Sequence, residues 1–99
     1  MTRLSYAADF FTDLDRLTLF LTQRHPEDAV GLVELIMDAL KSLERHPETG
    51  RPYDLPMREL IISRGKSGYL ALYRYNPITD EVVIARIRHQ RESGYRTIE

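Results

Sequence analysis

The chain has 99 residues, 42% apolar and 29% charged, which is ordinary globular usage and enough for one small core, with residues 1–99 read as a single domain. No apolar run approaches the ~20 residues that cross a bilayer, the N-terminus lacks the apolar stretch of a signal peptide, and there is no cysteine. A membrane-spanning helix and a disulfide scaffold are thereby excluded, and the expected location is the cytoplasm.

The net charge of −1 argues against a protein held to nucleic acid by charge alone. Its distribution is uneven. Residues 1–50 carry nine acids and five bases, whereas residues 51–99 carry nine bases and six acids, so the positive end lies in the C-terminal half.

In chain order, "TRLSY" (2–6) reads as a short first strand. Phe10, Leu14, Leu17 and Leu21 then recur at helical spacing, with Phe11 and Phe20 widening the stripe and Asp9, Asp13 and Asp15 in the early turns, where the helix dipole favours acids. "RHPED" breaks that pattern, and Pro26 opens a second helix whose stripe is Ala29, Val33, Ile36, Leu40 and Leu43. The short connection predicts an antiparallel helical hairpin.

"PETGRPYDLP" (47–56) is a loop by its prolines and glycine. The period then changes to two. "RELIIS" (58–63), "YLALYRY" (69–75) and "EVVIARIRH" (81–89) read as strands, separated by turns at "RGKSG" and "NPITD". The expected fold is α+β, in the order β-α-α-β-β-β, with a small antiparallel sheet packed against the N-terminal hairpin. Leu17, Ile36, Leu40 and Ile84 are expected in the core. On the last strand, Val83, Ala85, Ile87 and His89 are expected to face the helices, and Val82, Ile84, Arg86 and Arg88 the opposite side.

Several kinds of chemistry find no support. His25, His46 and His89 are far apart with no ligand spacing around them, so no metal is expected. There is no nucleophile triad and no glycine-rich phosphate loop, and nothing calls for a cofactor. The feature that stands out is a basic set, Arg58, Arg64, Lys66, Arg74, Arg86, Arg88, Arg91 and Arg96, interleaved with Tyr69, Tyr73, Tyr75 and Tyr95. Arginine offers planar donors to phosphate and tyrosine a stacking face. The competing explanation is that strands favour tyrosine and solvent-facing edges take arginine to discourage pairing.

The order of these pieces resembles toxins of the RelE/ParE family of type II toxin–antitoxin systems. The loop in "LERHPETGRP" and the run "RELIISRGKSGYLALYRYNPITDEVVIARIRHQRESGY" carry the resemblance over nearly the whole chain. The resemblance implies a cognate antitoxin as partner and one of two activities. ParE-like members poison DNA gyrase by binding, whereas RelE-like members cut mRNA on the ribosome without a metal. His89-Gln90-Arg91 resembles the His-x-Arg element of the ParE branch. Tyr95 stands where several nuclease members carry a C-terminal tyrosine, but Leu70 stands where they carry arginine after Gly-Tyr. The resemblance therefore implies a gyrase inhibitor whose target-binding residues are Arg58, Arg74, Arg86, Arg88, His89, Arg91 and Tyr95. In that reading Tyr95 is a contact residue or an anchor for the tail. In the alternative, ribosome-dependent nuclease, His89, Arg91 and Tyr95 are the catalytic candidates. A third reading keeps the fold as a binding module without toxicity.

Overall fold

A computed structural model describes residues 1–64 and 67–97. Among them the chain runs β1 (Arg3–Tyr6), α1 (Ala8–Arg24), α2 (Pro26–Ala29), α3 (Leu32–Lys41), a 3-10 turn at Ser42–Glu44, β2 (Arg51–Pro52), β3 (Met57–Arg64), β4 (Ser67–Asn76) and β5 (Glu81–His89). The turn expected at "RGKSG" falls partly outside the described residues.

The strands form one sheet in the order β1-β5-β4-β3-β2. Antiparallel pairing joins β3, β4 and β5, as two consecutive hairpins require. β1 corrects the expectation of a purely antiparallel sheet, because it lies parallel to β5, with Arg3 opposite Glu81 and Tyr6 opposite Ile84. No tight turn links these two strands, so nothing forces an antiparallel pair. Thr2 fixes this edge: its hydroxyl donates to Asp80 Oδ1 at 2.7 Å and its N–H to the Glu44 carbonyl at 3.0 Å.

Both main helices bury their stripes on one face of the sheet. α1 contributes Phe10, Leu14 and Leu17, and α3 with the turn after it contributes Leu32, Ile36, Leu40 and Leu43. Below them lie Ile62, Tyr69, Ala71, Tyr73, Val82, Ile84 and Ile87. The second helix is shorter than its sequence suggests. Pro26–Ala29 makes a single turn, Val30 is extended, and Gly31 sits at φ 86°, where a side chain would be strained. The restart at Leu32 turns the stripe, so Leu32 is buried while Val33 is 42% exposed.

The faces of β5 also differ from simple alternation. Tyr73 pairs with Ile84 but its neighbour Leu72 pairs with Arg86, so Ala85 is an extra residue in a β-bulge. The bulge reverses the parity at mid-strand. Val82 and Ile84 face the helices before it, Ile87 and His89 after it. A strict period of two across "EVVIARIRH" places Val82 and Ile84 on the wrong side.

Gly50 allows the 47–56 loop to close on the sheet. Its N–H donates to the Tyr73 hydroxyl at 2.8 Å, and a Cβ there would lie 2.6 Å from the Tyr73 ring. Leu40 is fully buried in the core. Leu40→Ala is expected to cost about 2–5 kcal/mol, read as a fall in the denaturant midpoint at constant slope.

Candidate functional site

The sheet face away from the helices carries Arg51, Glu59, Leu70, Leu72, Arg86 and Arg88, since residues paired across strands share a face. The chain leaving β5 turns back over it. The Glu92 N–H donates to the His89 carbonyl at 3.0 Å, and the segment 91–97 crosses the sheet beneath which Leu70 is 7% and Glu59 1% exposed.

Tyr95 is the inner point of this segment. Its hydroxyl donates to Glu59 Oε2 at 2.6 Å, and its ring lies 5.3 Å from the Arg88 guanidinium and 6.0 Å from the Tyr53 ring. Burial pushes the phenol far above its ordinary value of 10.0, and the hydrogen bond to the Glu59 carboxylate adds to the rise. The other Glu59 oxygen accepts two N–H bonds from Arg51, at 3.2 and 2.9 Å.

The edge of β5 is sealed from α1. Beyond Ile84, β1 has ended, so the outward N–H groups of β5 need other acceptors. Asp13, 1% exposed, accepts the Ile87 N–H at 3.1 Å, and Glu92 accepts the His89 N–H at 2.9 Å. Arg86 reaches Asp13 with two bonds, at 2.7 and 3.0 Å, and also donates to the Arg96 carbonyl. Arg16 bridges Asp13 and Glu92.

These contacts divide the residues singled out by sequence. Arg86 is committed to the buried carboxylate of Asp13. Arg58 lies on the helix face of the sheet, where it donates to the Gly50 carbonyl at 3.0 Å and the Glu48 carbonyl at 3.4 Å. Arg88 donates to the Glu92 carbonyl at 2.6 Å, and its Nε is buried with no partner among the described residues. His89 stands edge-on to Tyr69 at 5.2 Å, and its Nδ1 accepts the Arg91 N–H at 3.1 Å. That bond places the proton of the neutral ring on Nε2. Burial, with Arg91 beside it, lowers the His89 pKa below 6.5. Arg74 and Arg91 remain exposed. Their side chains make no ion pair among the described residues.

Sequence reasoning missed Asp13 and Glu59, the two buried acids that organise the cluster. Asp13 sits between Phe10, Leu14 and Leu17 on the apolar stripe of α1, and an acid within such a stripe was the available signal. Glu59 carried none, since it reads as an ordinary strand residue. His25, Glu27 and Asp28 are brought together, with ligand atoms within 4.8 Å of one another. All three are exposed, and the dipole of a first turn already favours the two acids.

A mixed sheet with helices on one face and a C-terminal segment folded over the other is the frame in which the site stands. A model of the ParE toxin of the type II toxin–antitoxin system parDE matches residues 4–94, and the chain belongs to that family. Toxin RelE3 of Caulobacter vibrioides is 42% identical over 80 residues, 81% of this chain and 85% of that protein. Toxin RelE1 of the same organism is 36% identical over 77 residues, 78% of this chain and 81% of its own. A solved chain of the chromosomal ParDE system from P. aeruginosa aligns with TM-score 0.71 at 27% identity, covering 88% of this chain and 94% of that one. A chain of the RelBE2 toxin–antitoxin complex from Mycobacterium tuberculosis shares the fold at 24% identity and TM-score 0.53, covering 90% and 98%.

Two outcomes follow from the geometry. Tyr95→Phe leaves a buried oxygen of Glu59 without its donor and is expected to cost about 1–3 kcal/mol in chemical denaturation. An exposed hydroxyl would have been nearly silent. His89, with a pKa lowered on folding, takes up protons more readily in the unfolded chain. Its contribution to stability is complete above about pH 6.5 and is lost as pH falls through the folded value. His89→Gln should therefore flatten the fall in denaturant midpoint on acidification from pH 7.5 to 5.

Proposed function

We propose that residues 1–99 act in the cytoplasm as one toxin domain that arrests growth by binding DNA gyrase and is silenced by a cognate antitoxin. The observation that carries this reading is the state of the two proton-transfer candidates. Cleavage of RNA needs one group to take a proton from the attacking hydroxyl and another to give one to the leaving oxygen. The Tyr95 hydroxyl is spent on Glu59, in an environment that disfavours its ionisation. The His89 Nδ1 is spent on a backbone N–H. Leu70, where the resemblance calls for an arginine, brings no charge to a developing phosphorane. What stays free for a partner is binding chemistry, chiefly Arg74 and Arg91.

The antitoxin reading draws support from the surface. Phe11 and Leu19 of α1 and Val33 of α3 are 47%, 59% and 42% exposed. The Arg3 and Ala7 N–H groups point to β5, so those of Leu4 and Tyr6 point out along an open sheet edge. A disordered antitoxin segment could cover both surfaces by folding as a helix and an added strand. No helix among the described residues is long and apolar enough to cross a membrane.

The names of the relatives, Toxin RelE3 and Toxin RelE1, favour the second reading, ribosome-dependent cleavage of mRNA. Assays of gyrase supercoiling and of mRNA translated by purified ribosomes separate the two. Supercoiling should be inhibited and the mRNA left whole. Arg74→Gln with Arg91→Gln should weaken inhibition about tenfold, the equivalent of about 1.4 kcal/mol of lost contact, without changing the melting temperature. Cleavage of the translated mRNA with gyrase unaffected would replace this reading by the nuclease. Inertness in both assays and in induced cells would leave a binding module.

A further inference from the structure

We infer that Glu59 is the positioning residue of the target-binding surface, acting as the catch that holds the C-terminal segment 91–97 as a closed strap across the sheet. The functional half of this inference rests on the reading that the C-terminal cluster meets the target. The structural half stands on the geometry alone.

Glu59 belongs to β3 and points away from the helical core, in one transverse row with Leu72 and Arg86. On an open sheet face a glutamate would normally be solvated. Here it is 1% exposed, and a buried carboxylate is tolerated only when its oxygens are paired. Oε1 is served locally by Arg51 of the adjoining β2. Oε2 is served by the Tyr95 hydroxyl, 36 positions away in the chain.

The strap's other polar ties lie away from β3, at β5 and α1. Arg88 holds the Glu92 carbonyl, Arg16 holds the Glu92 carboxylate, and Arg86 holds the Arg96 carbonyl. The stem of the strap is thus fastened to β5 and α1, and Tyr95 is its hook over β3. Losing the catch frees the hook and leaves the stem in place. Being inaccessible, Glu59 cannot touch a target itself. It acts by setting where Tyr95 and its neighbours Gly94 and Arg96 stand, and by keeping the Tyr95 ring over Arg88.

The test uses the full chain with Glu59→Met, which matches the size of the side chain without its oxygens, and Glu59→Gln, which keeps an acceptor for Tyr95. Cleavage by chymotrypsin at residue 95 reads the strap and growth arrest on induction reads the surface, whatever the target. Glu59→Met should speed chymotryptic cleavage at residue 95 about tenfold while the amides of β4 and β5 keep their protection from exchange. It should lower the tyrosine titration towards its ordinary range and weaken growth arrest by a similar factor. Glu59→Gln should restore most of both. Should Glu59→Met fail to fold, Tyr95→Phe removes the same bond from the other side, with the same expected cleavage at residue 95.

Unchanged cleavage at residue 95 overturns the catch. An opened strap with undiminished growth arrest overturns the positioning role. Gyrase left unaffected by the wild-type protein sinks the gyrase reading but not the catch, which the cleavage measurement judges separately.

Discussion

The carboxylate of Asp13 joins the two halves of this molecule. It is the point where α1 meets the unpaired edge of β5, and it accepts the Ile87 N–H, two donors of Arg86 and one of Arg16. Without it, a backbone donor and a guanidinium that is 17% exposed would be left without their acceptor. Breaking such a buried pair by removing one partner typically costs about 3–5 kcal/mol, because the surviving charge has nowhere to go. The bulge at Ala85 and the curl of Arg86 around the edge of the sheet meet at this acid, and so does the approach of the C-terminal segment through Arg16 and Glu92.

From this junction follows the electrostatic character of the surface. The C-terminal half looks strongly basic as a string of letters, but much of that charge is used internally. Arg86 answers Asp13, Arg51 answers Glu59, and Arg96 answers Glu92. Arg58 holds the 47–56 loop. A face that could be mistaken for a phosphate-binding platform is thus largely neutralised, and its capacity for long-range attraction falls with it. Contacts made there depend on shape and on a few exposed arginines.

Proton chemistry is constrained in the same way. A catalytic acid or base must be free to exchange its proton near the working pH, whereas Tyr95 is held protonated by burial and by a carboxylate partner. The alternation of tyrosines and arginines that suggested a stacking platform has a structural origin as well. Tyr73 holds Gly50, Tyr75 donates to Asp80, Tyr69 packs on His89, and Tyr95 fastens the tail.

The sequence by itself determined what periodicity and local chemistry can encode. The helical stripe through Phe10, Leu14 and Leu17 is visible as spacing, as are the three strands after residue 56 and the burial of Ile36 and Leu40, whereas the 47–56 segment reads as a loop throughout and hides the short strand β2. Each visible feature depends on neighbours within a few residues. Four features were settled only by the tertiary structure. β1 runs parallel because its partner is the last strand, not the next one. The reversal at Ala85 depends on register against β4. Gly31 restarts α3 so that Leu32, not Val33, meets the sheet. Asp13 and Glu59 became the organising acids because partners from opposite ends of the chain closed over them, and no local pattern records a contact made across 36 or 73 positions.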